Sequence, residues 1–312
     1  MTSLNGRKKS NFARKKFWRD ALFYALITCV PIAQFCVFYI GVNVNSIAMS
    51  FQKYDRITDT FVWAGFSNYK QFFSDLGSNG MWKIAFSNST IALLFALFIT
   101  KTLAVLFAFY IYKHKFLAKA FRVILFIPSI ISSLVTASVF AQFADGALPK
   151  IFSNIVGHPV QGLLANEKTH FGSILFYNLW VAFGPSLLMY SSAMNGINPS
   201  LSEAAQIDGC SPCREFVSIV FPSIWPTYVV FFVATLSNYF SDTINLYAFH
   251  GSWADTKLYT FGYFLFRSAE VNKSSMDMYP YLSSIGICFT IILVPIVLGI
   301  RKLMFRFGPK AD

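Results

Sequence analysis

The chain has 312 residues, of which 55% are hydrophobic, 18% aromatic and only 13% charged, and its mean hydropathy is +0.52. A soluble domain carries about 25% charged residues, so this composition excludes intrinsic disorder and a one-domain soluble enzyme and points to a polytopic membrane protein. The formal charge of +12 does not imply nucleic acid, because no basic-aromatic recognition module is present and basic residues in a membrane protein mark cytoplasmic ends.

A spanning helix needs about 20 apolar residues. Six stretches qualify, at 20–42, 86–112, 121–143, 171–193, 224–247 and 281–303. The first follows a basic segment, 1–19. Its apolar run is too long for a signal-peptide core, so it reads as a retained helix. In the third, Ser129, Ser132, Ser133 and Thr136 recur on one helical face that suits helix packing. In the fourth, Gly184-Pro185 is expected to kink the helix or free a carbonyl. Residues 194–223 are a loop long enough to hold structure of its own. A short tail, 306–312, follows the last span.

Lys/Arg counts orient the chain. With both termini inside, seven basic residues precede the first span, four lie in the 113–122 loop, one in 194–223 and four after 300. The much longer outside segments hold nine: Lys53, Arg56, Lys70, Lys83, Lys150, Lys168, Lys257, Arg267 and Lys273. The 194–223 loop is therefore cytoplasmic.

That loop predicts two short helices. Asn198 is an N-cap followed by Pro199 at the first helical position. Ser200-x-x-Glu203 is an alternative capping box. Gly209 sits where a helix ends on a residue with positive φ. Ser211-Pro212 opens a second helix by the same rule, and Pro222 ends it or marks the return to the membrane. Ala204 and Ala205 leave one face of the first helix smooth enough for close contact.

The spacing Glu203-Ala204-Ala205, three residues, Gly209, nine residues, Ile219, two residues, Pro222 resembles the EAA signature of ABC importer permeases. Gln206-Ile207-Asp208-Gly209 is similar to its sugar-importer version. Phe221 departs from the leucine usual there and keeps an apolar side chain. Ser50 to Tyr54, Trp63 to Tyr69, Phe126-Ile127-Pro128 and Thr256 to Phe266 resemble further elements of that family, with Gly262 and Phe264 loosening the last. The likeness covers most of residues 20–305 and is closest to the first of two paired permeases of maltose and multiple-sugar importers.

The resemblance implies an all-α, six-span type I permease for a sugar or oligosaccharide, with the loop as a cytoplasmic coupling-helix pair, in a bacterial or archaeal plasma membrane. Glu203, Ala204, Ala205, Asp208, Gly209, Ile219 and Pro222 would form the element that docks on a separate ATPase dimer. Glu203 would offer a carboxylate to a basic partner group, and Gly209 would set the angle between the helices. Hydrolysis of ATP with magnesium would belong to that ATPase, because this chain has no G-x-x-x-x-G-K-[ST]; it needs no cofactor or metal of its own. A second permease subunit would complete a heterodimer in the bilayer. An extracellular or periplasmic solute-binding protein would deliver the carbohydrate, with 43–85, 144–170 and 246–280 as candidate contacts.

Ionisable and amide groups at membrane depth are candidates for the pathway. Asn238, Ser241, Asp242 and Asn245 recur at helical spacing in the fifth span, a face that must meet a partner helix or a cavity. Asn178, Trp180 and Tyr239 add amide and aromatic groups suited to a neutral sugar. Lys101 lies mid-span. Pairing with Asp242 would cancel two costly charges; alternatively the lysine lies nearer the cytosol than the span bounds suggest.

Other readings fare worse. Cys210-Ser-Pro-Cys213 lacks a second ligand pair for zinc and a thioredoxin-like context. Gly184-Pro185-Ser186 lacks the histidine in a later span that an intramembrane serine protease requires, and His114, His158, His170 and His250 read as surface residues. An ion-coupled secondary transporter would be built from inverted repeats, and none is visible. Importers of glycerol phosphate share the loop signature, but an anionic substrate would want more uncompensated basic residues than Lys101 alone.

Overall fold

The computed structural model describes residues 3–78, 80–273 and 275–309. Residues 1–2 of the basic segment and 310–312 of the tail lie outside them. The chain divides into two compact units, one of residues 1–72 with 279–287 and one of 73–278 with 288–312.

In the first unit, α1 (Ser3–Gln34) runs through a π-helical turn (Phe35–Gly41) into α2 (Val42–Ser50). Thr28, Asn43 and Ser46 bond back to the backbone oxygens of Tyr24, Tyr39 and Val42. Self-satisfied polar groups suit an apolar surrounding. A hairpin absent from the sequence expectations follows. β1 (Gln52–Asp55) and β2 (Thr60–Trp63) pair antiparallel, with Gln52 opposite Trp63. Gly65 then takes φ +57, and α3 (Ser67–Ser78) begins. The buried amide of Asn68 donates to Ser50 O at 2.8 Å and Gln52 O at 2.7 Å, while Phe51 stacks on Trp63. The two aromatic segments singled out in the sequence thus close on each other.

The second unit holds the rest of the bundle. The second span is α4 (Gly80–Leu94), a π turn (Phe95–Thr100) and α5 (Lys101–Tyr112). The fourth is α9 (Glu167–Asn195), unbroken through Pro185. The last is α15 (Met278–Phe307), whose first turns belong to the first unit. On α5, Ala104 and Ala108 are fully buried; small residues one turn apart let helices approach closely. They share a core with Phe183, Leu187, Tyr190 and Met194 of α9. A second core joins Phe140, Ile174 and Tyr177 to Ile244, Tyr259 and Tyr263.

Two spans differ from expectation. The third is broken: α6 (Ala118–Ile130) meets the next helical segment, α7 (Ser133–Gln142), a π turn and α8 (Leu148–Val156), at a 107° bend. The break falls at Ile131-Ser132, where the backbone is extended. The predicted serine face is thereby split, Ser129 bonding back to Phe126 O and Thr136 to Ser132 O. Among the described residues, five helices are long and apolar enough to span, or six if the bent pair counts as one.

The fifth span starts earlier and ends earlier than expected. α11 (Pro212–Glu215) continues through a π turn (Phe216–Val220) into α12 (Phe221–Ser237). Pro222 does not end the helix: it falls in the first turn of α12, just after the π turn, where a missing N–H is tolerated. Beyond Ser237 the chain turns irregularly to α13 (Leu246–His250), and α14 (Phe261–Val271) follows.

Candidate functional site

The 194–223 segment is built as its cap residues dictate. The Asn198 side chain accepts from Ser200 N at 3.1 Å, and Pro199 opens α10 (Pro199–Ile207); the cap is Asn198 rather than Ser200. Gly209 has φ +68. Cys210 N donates to Ala205 O at 2.9 Å and Gly209 N to Gln206 O at 3.1 Å, the paired bonds of a Schellman ending. Ser211 caps the next helix by accepting from Arg214 N. Because α11 runs on into α12, the second short helix is the foot of the fifth span.

The two alanines part company. Ala205 is 6% exposed and faces inward, while Ala204 faces out beside Glu203, Ile207 and Asp208. Ile207 is 86% exposed. Glu203 makes no ion pair among the described residues. Ile219 is half-buried and Pro222 buried where the pair joins the bundle.

Beneath the pair lies a network that sequence reasoning missed. The Glu215 carboxylate is buried; it accepts from Lys113 Nζ at 2.8 Å and from Ser202 Oγ at 2.6 Å. Lys113 caps the end of α5 and also reaches Ser202 Oγ at 3.2 Å. A cleft of about 620 Å³ opens beside them, lined by His114, Glu203, Gln206 and Cys210 among others. No spacing rule links residues 113 and 215.

The membrane-depth candidates meet only in part. Asn178 Nδ2 donates to Ile244 O at 2.8 Å and Ile174 O at 2.8 Å, and Asn245 Nδ2 donates to Asn178 Oδ1 at 2.7 Å. Ile244 and Asn245 both have positive φ, so the 238–245 turn is pinned to the fourth span by the amides. The expected face of Asn238, Ser241, Asp242 and Asn245 does not exist, because the helix has already ended. Thr260 Oγ1 donates to Asp242 O at 2.9 Å. Gly262 lies so close that a Cβ there would sit 2.5 Å from Ser241 O. Tyr239 shares a hydrogen bond with Thr90 at 2.9 Å, and Trp180 packs among Phe140 and Tyr177.

Lys101 and Asp242 do not pair. Lys101 Nζ lies 3.5 Å from Ser186 Oγ and 6.0 Å from the centre of the Phe231 ring, while the Asp242 carboxylate turns back to accept from Ile244 N at 2.8 Å. The irregular turn consumes the acid that a helix would have presented.

Two histidines read as surface residues are instead a pair. His170 Nε2 and His250 Nε2 lie 3.0 Å apart and both are half-buried. Burial first, and then the neighbouring His170, hold the His250 imidazole below its ordinary range. Gly184 has a reason the sequence did not reveal. A Cβ there would lie 2.5 Å from Leu125 O and 2.7 Å from Phe126 Cα, so α6 and α9 touch backbone to backbone.

The chain is similar to the multiple sugar-binding transport system permease protein MsmF of Streptococcus mutans, at 24% identity over 87% of this chain and 92% of that one. It is 25% identical to the arabinooligosaccharides transport system permease protein AraP of Bacillus subtilis, over 95% and 94% of the two chains. A probable ABC transporter permease of Mycoplasma pneumoniae is 26% identical over 55% of this chain, which spans about half (52%) of that protein. Crystal structures of a bacterial ABC transporter involved in the import of alginate, and of a bacterial alginate ABC transporter in complex with an alginate pentasaccharide-bound periplasmic protein, share the fold at TM-scores of 0.77 and 0.76. Their identities are 21% and 20%, and they cover 95% and 96% of this chain and 99% of theirs. Residues 100–311 match the model of the binding-protein-dependent transport system inner membrane component, and the chain belongs to that family of membrane transport subunits.

Proposed function

We propose that this chain is one permease subunit of an ATP-driven importer of sugars or oligosaccharides. The observation that carries the reading is the α10–α11 pair, hinged at a left-handed Gly209 and presenting Glu203, Ala204 and Ile207 outward. A short capped helix whose outer face offers an unpaired carboxylate and a bare isoleucine suits docking on another protein. Its covalent continuity with the fifth span gives displacement of the pair a direct route into the membrane. In this reading a separate ATPase dimer binds the pair and hydrolyses ATP with magnesium, and its closure drives alternating access. Both termini and the pair are cytoplasmic. A second permease subunit completes the pathway, and a solute-binding protein on the outer face delivers the substrate.

The carbohydrate class rests on the relatives whose names state a cargo, multiple sugars and arabinooligosaccharides. Asn178, Trp180, Asn238, Tyr239, Asp242, Asn245 and Lys101 are proposed to border the pathway, with the Asn178–Asn245 bridge shaping its wall rather than gripping cargo. The test is reconstitution of the complex in liposomes with a labelled oligosaccharide and its binding protein. Uptake is expected to require ATP and to survive an ionophore. Uptake that ignores ATP and collapses with an ion gradient would overturn the reading.

A further inference from the structure

The Lys113–Glu215–Ser202 network joins three segments that the sequence keeps far apart: the end of α5, the helix α10 and the helix α11. We propose that Glu215 is a positioning residue that clamps the helix pair to the second span. With the clamp made, a push on α10 moves the second, fourth and fifth spans together. This rests on the transport reading above.

Connectivity alone does not achieve that. α10 reaches the fourth span through residues 196–198, and α11 reaches the fifth through a π turn, Phe216–Val220. A π turn is a looser helical hydrogen-bond pattern and a common site of adjustment. Nothing covalent ties either helix to α5. The tie is one carboxylate, 3% exposed, held by an ammonium 16% exposed at 2.8 Å. A hydroxyl from α10 fills a further lone pair at 2.6 Å. Gln206 Nε2 donates to the same hydroxyl at 3.3 Å, extending the contact along α10.

Burial gives the tie its stiffness. Lys113, Ser202 and Glu215 line the wall of the cleft, yet Glu215 is 3% and Lys113 16% exposed, so separating the partners costs more than it would for an exposed pair. It also holds the α10–α11 corner from the inside. Gly209 permits that corner, and with nothing but its immediate chain neighbours within 4 Å of its Cβ position it has no packing of its own to fix the angle. Glu215 supplies the restraint by gripping Ser202 across the corner.

The experiment measures uptake and ATP hydrolysis together in the reconstituted complex, for the wild type and for Glu215→Gln, Lys113→Met, Ser202→Ala and the charge-exchanged double variant K113E/E215K. Glu215→Gln and Lys113→Met are expected to keep hydrolysis while substrate moved per ATP falls roughly threefold to tenfold. The exchanged double variant is expected to recover most of that ratio. Ser202→Ala keeps both charges, so it assembles even if the single charge variants do not, and it is expected to lower the ratio by a smaller factor. A wild-type complex that moves nothing on ATP refutes the transport reading itself. A coupled wild type whose ratio is unchanged in Ser202→Ala, or unrestored in the exchanged variant, refutes the clamp and leaves the transport reading standing.

Discussion

Gly209 permits a test that separates strain from bulk. Its φ is +68, a region that costs an ordinary L-residue roughly 1–2 kcal/mol. Apart from its immediate chain neighbours, nothing lies within 4 Å of the position a Cβ would take, so substitution removes no packing and creates no clash with another part of the chain. The whole penalty is backbone strain at the corner between α10 and α11, relieved only by changing the angle between them. Strain ranks the substitutions Asn, then Ala, then Val, because Asn enters the left-handed region most easily and β-branched residues least. Bulk ranks them differently, with Ala mildest and Asn close to Val. A penalty of about 1–2 kcal/mol corresponds to roughly a fivefold to thirtyfold shift away from the native corner. ATP-dependent uptake is therefore expected to fall little in Gly209→Asn, more in Gly209→Ala and most in Gly209→Val, at equal amounts of inserted protein. Uptake in Gly209→Ala that exceeds Gly209→Asn would refute the hinge argument and would mean that the glycine clears space for a partner.

Four further outcomes follow from the geometry. Glu203→Lys is expected to abolish ATP-driven uptake while changing stability in detergent by less than about 0.5 kcal/mol, since the side chain is exposed; a matching loss of stability would remove the docking role. Gly184→Leu drives a side chain into the Leu125 and Phe126 backbone and should cost about 1–3 kcal/mol or more, read as a lower unfolding midpoint. Asn178→Ala breaks bonds to Ile244 O and Asn245 and should cost roughly 1–3 kcal/mol of stability. If uptake fell while the midpoint held, Asn178 would be a cargo contact instead. The depressed His250 imidazole means that the unfolded chain binds its proton more readily. Stability should fall as pH drops below about 6.5, the ordinary histidine value; a His250→Gln variant that keeps the full pH dependence would assign the effect elsewhere.

What was legible follows from how local each signal is. The Schellman corner was visible because Asn198, Pro199, Gly209, Ser211 and Pro212 each act on backbone groups within a few residues. The spans were visible because hydrocarbon demands long apolar runs. Failures came where a tertiary contact overrode a local pattern. Asn238, Ser241, Asp242 and Asn245 carry perfect helical spacing, yet Asn178 and Thr260 bond the backbone of an irregular turn there and outbid the helix. The third span breaks at Ile131-Ser132, just past Pro128 and among the serines read there as a helix-packing face, and the next segment packs its Phe140 against Tyr177 on the fourth.

Glu215 is the sharpest case of that difference. Arg214-Glu215 lies in the 194–223 loop, where the preceding Ser211 and Pro212 explain its helix without any partner. Its burial depends on Lys113, which the sequence presents as one of four basic residues marking the inner membrane face. The same lysine therefore enters the basic-residue count of the sequence and also pairs with an acid 102 residues away. A lysine free at the membrane surface would snorkel toward water; Lys113 instead turns inward at 16% exposure. That inward turn costs solvation, which the Glu215 carboxylate and the Ser202 hydroxyl offset. An exposed Glu215 would leave the Lys113 ammonium with Ser202 as its remaining partner, which is the loss that the proposed clamp opposes.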